Sequence, residues 1–350
     1  MATLRPTVVI TGASGDLGSR LVPLLGDFNV VGLDWKQPIT KAPFRFIHMN
    51  LEREDCCREL MLLLRETRTV TFVHLASVHP RNSGEVMDAE RMWQINVAGT
   101  ARVLESITEA NREEMLVKKF IFPSSTLVYG PNRSTEATEE TEPGTNLPLF
   151  VKHQLEAEKV VRKRGTGLRA CSIYILRAAT FAGAGSNNYL VSALRPNARG
   201  KRMSLALPWG QQALENRLQF VHVDDMARVI SYIAHKSEPE PQRLTFLNVT
   251  GRGDAISYQQ VIDTAQTKRL GVPGKSALEM LTRFRWNRGI SPIPPDLTPY
   301  LMSETLVSST RLRKFLGQDY EEVIHHTIAD AFADSFSPVS EPSQTSTLSH

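Results

Sequence analysis

Short apolar runs, separated by segments of helical character, set the plan of the first half of the chain. Val8-Val9-Ile10, Asn29-Val30-Val31-Gly32-Leu33-Asp34, Phe44-Arg45-Phe46-Ile47-His48, Thr69 to Ser77, Lys119-Phe120-Ile121-Phe122 and Ala170 to Leu176 each read as a strand. The uninterrupted apolar stretches among them mark strands covered on both faces, as in a parallel sheet. Between them, Ser19 to Leu25, Glu59 to Arg68, Met92 to Ala110 and Lys152 to Arg164 predict helices, the third through Ile95, Val103, Leu104 and Ile107 at helical spacing. Such alternation predicts an α/β protein built on a doubly wound parallel sheet.

Past Arg177 the regularity weakens. Arg217 to Val223 and Thr245 to Val249 predict strands, Asp224 to His235 a helix, and Ser257 to Leu270 a helix ending at Gly271. A Thr/Glu/Pro-rich loop covers residues 131 to 147, and residues 278 to 306 combine large apolar side chains with proline. Arg311 to Leu316 and Tyr320 to Phe336 finish the fold, and the Ser/Thr/Pro-rich tail, residues 337–350, reads as disordered.

Composition narrows the class. Of 350 residues, 41% are hydrophobic and 22% charged, as in ordinary globular proteins. The net charge is only +4 and the basic residues are scattered, so no nucleic-acid partner is expected. No apolar run reaches the roughly 18 residues of a membrane span. The first strand begins within about ten residues of Met1, leaving no room for a signal peptide. Cys56, Cys57 and Cys171 form no disulfide framework and no metal-ligand spacing, so no metal is expected and a reducing cytoplasm fits.

The candidate chemistry begins at Thr11-Gly12-Ala13-Ser14-Gly15-Asp16-Leu17-Gly18, between the first strand and the first helix. Glycines there permit a tight turn and bring backbone N–H groups and the positive helix end to a pyrophosphate. The next strand ends in Asp34, whose carboxylate can accept hydrogen bonds from an adenosine ribose and would repel a 2′-phosphate. NAD is therefore expected over NADP. Lys36 nearby reads as a solvated lysine.

The motifs in order resemble the extended short-chain dehydrogenase/reductase superfamily, NAD-dependent epimerase/dehydratase group, over nearly the whole chain. Thr11 to Gly18 is similar to its TGxxGxxG turn and His74-Leu75-Ala76-Ser77 to its HLA(A/G) strand end. Asn96-Val97-Ala98-Gly99-Thr100 matches NVxGT, and Ser124 to Gly130 matches SSxxVYG. Phe220 to Asp225 resembles FVHVDD, and Leu247 to Gly251 resembles (Y/F)N(V/I)GxG. The resemblance implies a Rossmann-type doubly wound sheet with a smaller C-terminal α/β substrate domain. The NAD-binding domain would be residues 1–176 plus 217–254, and the substrate domain 177–216 plus 255–336. It also implies a homodimer formed through the helices near 92–110 and 152–164. The cofactor set it implies is Gly12, Ser14, Gly15, Asp16, Leu17, Gly18, Asp34, Asn50, Leu51, Leu75, Ala76, Ser77 and Gln154.

The departures concern catalysis. The family relies on Tyr-x-x-x-Lys, in which the lysine lowers the tyrosine pKa from about 10 so that it exchanges a proton with the substrate. Alignment through Leu155-Glu156-Ala157-Glu158 places Phe150 and Gln154 at those positions. Phenylalanine transfers no proton, and glutamine can only hydrogen-bond a ribose. Lys152 and His153 face away from Gln154 on a helix. The literal Tyr232 to Lys236 spacing lies on the wrong element. Ser125 keeps the place of the hydroxyl that holds the reacting oxygen, and His79, on the loop past the fourth strand, is a candidate proton carrier, although a lone loop histidine more often reads as a solvated side chain. Arg81 beside it is a candidate for an anionic substrate or a side chain that simply faces water. Tyr129 takes a packing role, and Thr126-Leu127 replaces the acid pair of 4,6-dehydratases. Asn50 replaces the aspartate that reads adenine, its oxygen still able to accept. Arg177-Ala178 replaces Arg-Pro. Arg217 stands three residues before Phe220, where nucleotide-sugar enzymes place arginine two before, and the RxGD segment is missing. Trp286 to Met302 is apolar, as for a lipid-like substrate or a core. Two readings follow: an NAD(H)-dependent enzyme with a non-standard site, acting on a nucleotide sugar or an apolar alcohol or ketone, or a silent NAD(H)-binding regulatory or assembly protein.

Overall fold

The structure is a computed structural model that describes residues 5–38, 44–82, 85–131, 135–168, 170–186, 188–197, 200–237 and 244–337. The expected tail therefore lies outside the described residues except for Ser337, as does the side chain of Arg81. Seven parallel strands form the central sheet: β1 (Thr7–Thr11), β2 (Asn29–Asp34), β3 (Arg45–His48), β4 (Thr69–His74), β5 (Lys119–Ser125), β6 (Ser172–Ala178) and β7 (Thr245–Val249). Their order is β7-β6-β5-β4-β1-β2-β3. Chain order reverses between β1 and β4, and ligands of such sheets bind at the carboxyl ends of the strands beside that reversal.

Successive side chains of a strand point to opposite faces, and the core divides accordingly. Val8, Ile10, Val73, Ile121, Tyr174 and Leu176 face α1 (Asp16–Leu21) and a helix over Val223–His235. Val9, Leu33, Phe72, Phe120, Ile173 and Ile175 face α2 (Cys56–Glu66), α3 (Gly99–Ala110) and α4 (Leu149–Gly165). Each such side chain, fully buried, contributes about 1.5–3 kcal/mol before entropy is counted. A further apolar cluster joins Phe150 and Leu127 to Leu190, Leu207, Tyr258, Tyr300 and Phe332, connecting the sheet to the C-terminal part of the chain. None of the three cysteines forms a disulfide, and burial pushes the Cys56 thiol up to about 12, which leaves it unreactive.

Four predicted elements differ. The helix expected over Met92 to Ala110 is interrupted by a π-helical stretch at Gln94–Ala98, a wide turn that aims Asn96 inward. Arg217 to Val223 divides: Arg217–Leu218 pairs antiparallel with Ile256–Ser257, and Phe220–His222 pairs parallel with Thr180–Ala182. The helix from Ser257 stops at Thr264, because Gln266 takes a left-handed φ of 48°, and Arg269–Val272 becomes a strand beside Leu205–Pro208. Tyr320 to Phe336 breaks into Tyr320–Val323 and Ile328–Asp334.

That break creates a clasp. The His222 and His326 rings stack at 3.8 Å. His222 Nδ1 accepts the Asp224 N–H at 3.1 Å, so Nε2 carries the proton toward Asp334 at 3.0 Å. His326 Nδ1 lies 2.9 Å from Asp225 Oδ1, which the Arg228 guanidinium also contacts. His222, Asp225 and His326 are the one grouping among the described residues with metal-ligand composition, but their facing atoms are committed to these bonds. The hydrogen bond to Asp225 raises the His326 pKa above the ordinary 6.5 despite burial. A raised native pKa gives stability that is complete below about pH 6.5 and is lost as pH climbs through the native value. The melting temperature should therefore fall as pH rises from about 6 to 8, and His326→Asn should flatten that part of the curve in a thermal-melt series.

Candidate active site

The glycine turn shows its requirements directly. Gly12 has φ +70°, and a Cβ there would stand 2.8 Å from the Ala76 nitrogen. A Cβ on Gly18 would meet the Ala13 and Gly12 carbonyl oxygens at 2.6 Å. Gly15 differs: its Cβ would meet only the Gly12 oxygen, at 3.2 Å, so this glycine leaves room on the ligand side. Asp34 Oδ2 accepts the Ser14 N–H at 3.0 Å and Oδ1 accepts the Lys36 N–H at 3.1 Å. Both oxygens keep lone pairs for ribose hydroxyls. Lys36 places its ammonium over the Trp35 ring, 4.8 Å from the centroid. A groove of about 380 Å³, counting its open mouth, runs past Gly12, Asp34, Asn50, Leu51 and Ala76. Trp35, Met49 and Ile95 line it too and were not singled out in the sequence. The Asn50 oxygen already holds the Glu52 N–H at 2.9 Å. Asp16 pairs with Arg20 at 2.9 Å, Leu17 is half-buried and Ser77 is exposed at the end of the loop.

Buried polar chains fix the rim of this groove. Thr11 Oγ1 accepts the Ala76 N–H at 3.2 Å and so donates its own proton to His74 Nδ1, at 2.7 Å. His74 Nε2 reaches Thr100 at 3.0 Å, and Thr100 donates to the Asn96 carbonyl at 2.7 Å. Burial lowers the His74 pKa to about 3, so the ring is a neutral brace. The Asn96 amide clamps Val78 from both sides, Oδ1 accepting its N–H at 2.8 Å and Nδ2 donating to its carbonyl at 2.9 Å. The loop residue that follows, His79, thereby stands edge-on to the Phe150 ring, with centroids 6.0 Å apart.

Phe150, Gln154 and Glu158 recur every four residues of α4 and so share a face. Phe150 is buried in apolar company. The Gln154 Oε1 is buried without a partner among the described residues, a polar atom left for a donor such as a ribose hydroxyl. Glu158 accepts from Ser124 Oγ at 2.6 Å and from Arg177 Nε and Nη2 at 3.1 and 2.7 Å. His153 is buried with Nδ1 unpartnered among the described residues, and Lys152 is exposed. Tyr129 donates to Asn248 at 2.7 Å beneath the Arg177 guanidinium, a packing role. Tyr232 donates to Asp319 at 3.1 Å, with Lys236 over its ring, so that pair is engaged with the C-terminal segment.

Ser125 ends β5 and is half-buried; its Oγ accepts the Leu127 N–H at 3.2 Å and keeps its own proton to donate. The residues after it, Thr126 and Leu127, form one wall of a second cavity, of about 450 Å³ including its open mouth. Thr180, Tyr189, Tyr258 and Tyr300 complete much of that cavity and were missed in the sequence. Tyr300 was visible only as one member of an apolar, proline-rich stretch.

A doubly wound sheet and a glycine turn under an acidic strand end define a dinucleotide-binding fold. The chain belongs to the NAD dependent epimerase/dehydratase family, whose model matches residues 8–246, and NAD is the cofactor of that family. It is similar to UDP-glucose 4-epimerase 4 of Oryza sativa subsp. japonica, 27% identical over 249 residues, 63% of this chain and 65% of that protein. It is also similar to the uncharacterized protein y4nG of Sinorhizobium fredii (strain NBRC 101917 / NGR234), 24% identical over 148 residues, 40% of this chain and 32% of that one. The chain thus spans about a third and just under two thirds of the lengths of these curated relatives. Among solved structures, the fold is shared with the UDP-glucose 4-epimerase of Thermus thermophilus in complex with NAD, at TM-score 0.68 and 16% identity, over 94% of this chain and 96% of that one. It is shared as well with MoeE5 in complex with UDP-glucuronic acid and NAD, at TM-score 0.66 and 19% identity, over 94% and 98%. No helix among the described residues is long and apolar enough to cross a membrane.

Proposed function

We propose that this chain is an NAD(H)-dependent oxidoreductase of the epimerase/dehydratase kind, with a non-standard active site acting on a hydroxyl or carbonyl of a small molecule. The observation that carries the reading is the His79 ring set against Phe150. An imidazole beside the position that the resemblance gives to the tyrosine supports a proton-carrying role for His79. Ser125 donates its free proton to the reacting oxygen. In the oxidative direction the substrate hydroxyl gives its proton to His79 in the neutral form. Bound NAD supplies the hydride acceptor for the carbon that bears that hydroxyl. The backbone around Gly12 to Gly18, Asp34, the groove residues Asn50, Leu51 and Ala76, their chain neighbours Leu75 and Ser77, and the open Gln154 oxygen hold the dinucleotide.

The cofactor domain is assigned to 1–176 plus 217–254 and the substrate domain to 177–216 plus 255–336. A homodimer through the helices near 92–110 and 152–164 is part of the same reading, supported by Trp93 and Leu149, which stay 36% and 42% exposed there. A reducing cytoplasm suits three cysteines that form no disulfide.

The test is turnover followed by NADH absorbance with a panel of nucleotide sugars, alcohols and ketones. Ser125→Ala should lower kcat about 100-fold with NADH affinity unchanged. Full activity in that variant would reduce Ser125 to a turn residue. Tight NADH binding without turnover of any panel member would favour the silent, regulatory reading, to which the apolar Phe150 and uncharged Gln154 already lend support.

A further inference from the structure

We propose that the cavity beside Ser125 takes a neutral molecule, an apolar frame carrying a hydroxyl or carbonyl oxygen, and not a nucleoside diphosphate. This deepens the reading above and rests on it, since it takes that cavity as the substrate site.

The lining carries the argument. Thr126, Leu127, Tyr189, Leu218, Tyr258 and Tyr300 face the space, and no described residue that lines it is charged. A diphosphate moved out of water needs cations or many donors to replace its hydration. The cation nearest in sequence is spent elsewhere. In the short strand Arg217–Leu218, alternation turns Leu218 toward the cavity and leaves Arg217 on the other side. Glu304 Oε1 accepts the Arg217 N–H and Nε–H at 3.1 and 2.9 Å, and Oε2 accepts from Nη2 at 3.2 Å. Arg217 in turn holds the Glu304 carboxyl below its ordinary range, so the pair is ionised and closed on itself. Asp296, whose field acts on Tyr300, adds negative charge near the cavity.

What the cavity offers is neutral donors. Tyr300 has committed its proton to the Leu127 carbonyl at 2.8 Å and fastens the C-terminal part of the chain to the loop after Ser125. Tyr189 sits beside Thr180, and burial pushes its phenol up to about 12. Tyr258 is fully buried, burial raises its pKa, and its hydroxyl has no partner among the described residues. A buried hydroxyl without a partner is costly, and a ligand oxygen would remove that cost. An uncharged carbonyl or alcohol matches a protonated phenol on a wall of leucines, threonines and tyrosines that carries no charge among the described residues. A dianion does not.

The experiment uses the full chain loaded with NADH. Cyclohexanone, menthone, cyclohexanol, UDP and UDP-glucose are each titrated while NADH fluorescence and melting temperature are followed. At least one neutral member should give a saturable signal, and UDP and UDP-glucose none up to about millimolar. Tyr258→Phe should weaken the neutral ligand about tenfold and hold or raise the melting temperature of the ligand-free protein, because it removes a costly buried hydroxyl that has no partner among the described residues. Saturation by UDP at micromolar concentration, silence from every neutral member, or unchanged affinity in Tyr258→Phe would each overturn the proposal. If NADH itself fails to bind, the enzyme reading fails instead, and the melting-temperature arm still decides what the cavity takes.

Discussion

Arg177→Ala should lower the unfolding free energy by about 3–5 kcal/mol, the usual cost of stripping one partner from a buried ion pair. The two side chains are 3% and 1% exposed, so water cannot replace the lost guanidinium. Glu158 would keep only the Ser124 hydroxyl at 2.6 Å, with its charge otherwise stranded. The guanidinium also lies 4.8 Å from the ring centroids of both Tyr129 and Phe246, so the truncation leaves a void between them. Urea denaturation followed by circular dichroism measures the effect. The double variant Arg177→Met with Glu158→Leu should regain much of the loss, because replacing both charges by apolar groups leaves neither unpaired. A single-variant loss below about 1 kcal/mol would mean that water enters the site. The ion pair also bears on the proposed site. It pins the α4 face that carries Phe150 and Gln154 against the ends of β5 and β6, so NADH affinity should fall with stability in the single variant and recover in the double.

How much of this was legible in the sequence depends on the range of the forces involved. The central strands were readable because each is covered on both faces, and such burial writes itself into consecutive apolar residues. Asp34 was readable because it ends a strand one unit after a glycine turn, a relation contained in a short stretch of chain. Where pairing is remote the reading failed. Leu270 and Gly271 look like the end of a helix, yet they pair with Ala206 and Leu207, more than sixty residues away. Gln219 looks like the middle of a strand, but its amide is bound on both sides by the backbone of Val307, at 3.0 and 2.8 Å, and the strand divides there. The spacing of Phe150, Gln154 and Glu158 was visible. That Glu158 is buried against Arg177 was not, because a helical glutamate reads as solvated until its partner is known. The neighbour of Phe150 was equally hidden: His79 is placed by an asparagine inside a π-helical turn, a distortion without a sequence signature.

Gly12→Val should abolish detectable NADH binding, and Gly15→Ala should separate the two reasons a glycine is needed in such a turn. At Gly12 the backbone has φ +70°, and any Cβ lies 2.8 Å from the Ala76 nitrogen and 2.9 Å from the Leu75 carbonyl carbon. Neither contact is the end of a flexible side chain, so the β4 loop must move, and that loop forms the groove wall and carries His79. A branched residue at positive φ adds its own strain. The variant should melt at lower temperature and give no NADH fluorescence enhancement at any accessible concentration. Gly15 is different in kind. Its φ of −75° and ψ of 173° suit alanine, and a Cβ there meets only the Gly12 oxygen, at 3.2 Å. The protein should tolerate the methyl group with little change in melting temperature. The ligand should not, because the methyl group projects where a pyrophosphate must approach the backbone N–H groups at the start of α1. A loss of about tenfold or more in NADH affinity by calorimetry, with the melt intact, is the expected result. Equal affinity in Gly15→Ala would mean that the dinucleotide does not lie across this turn, and the site built from Gly12 to Asp34 would have to be given up.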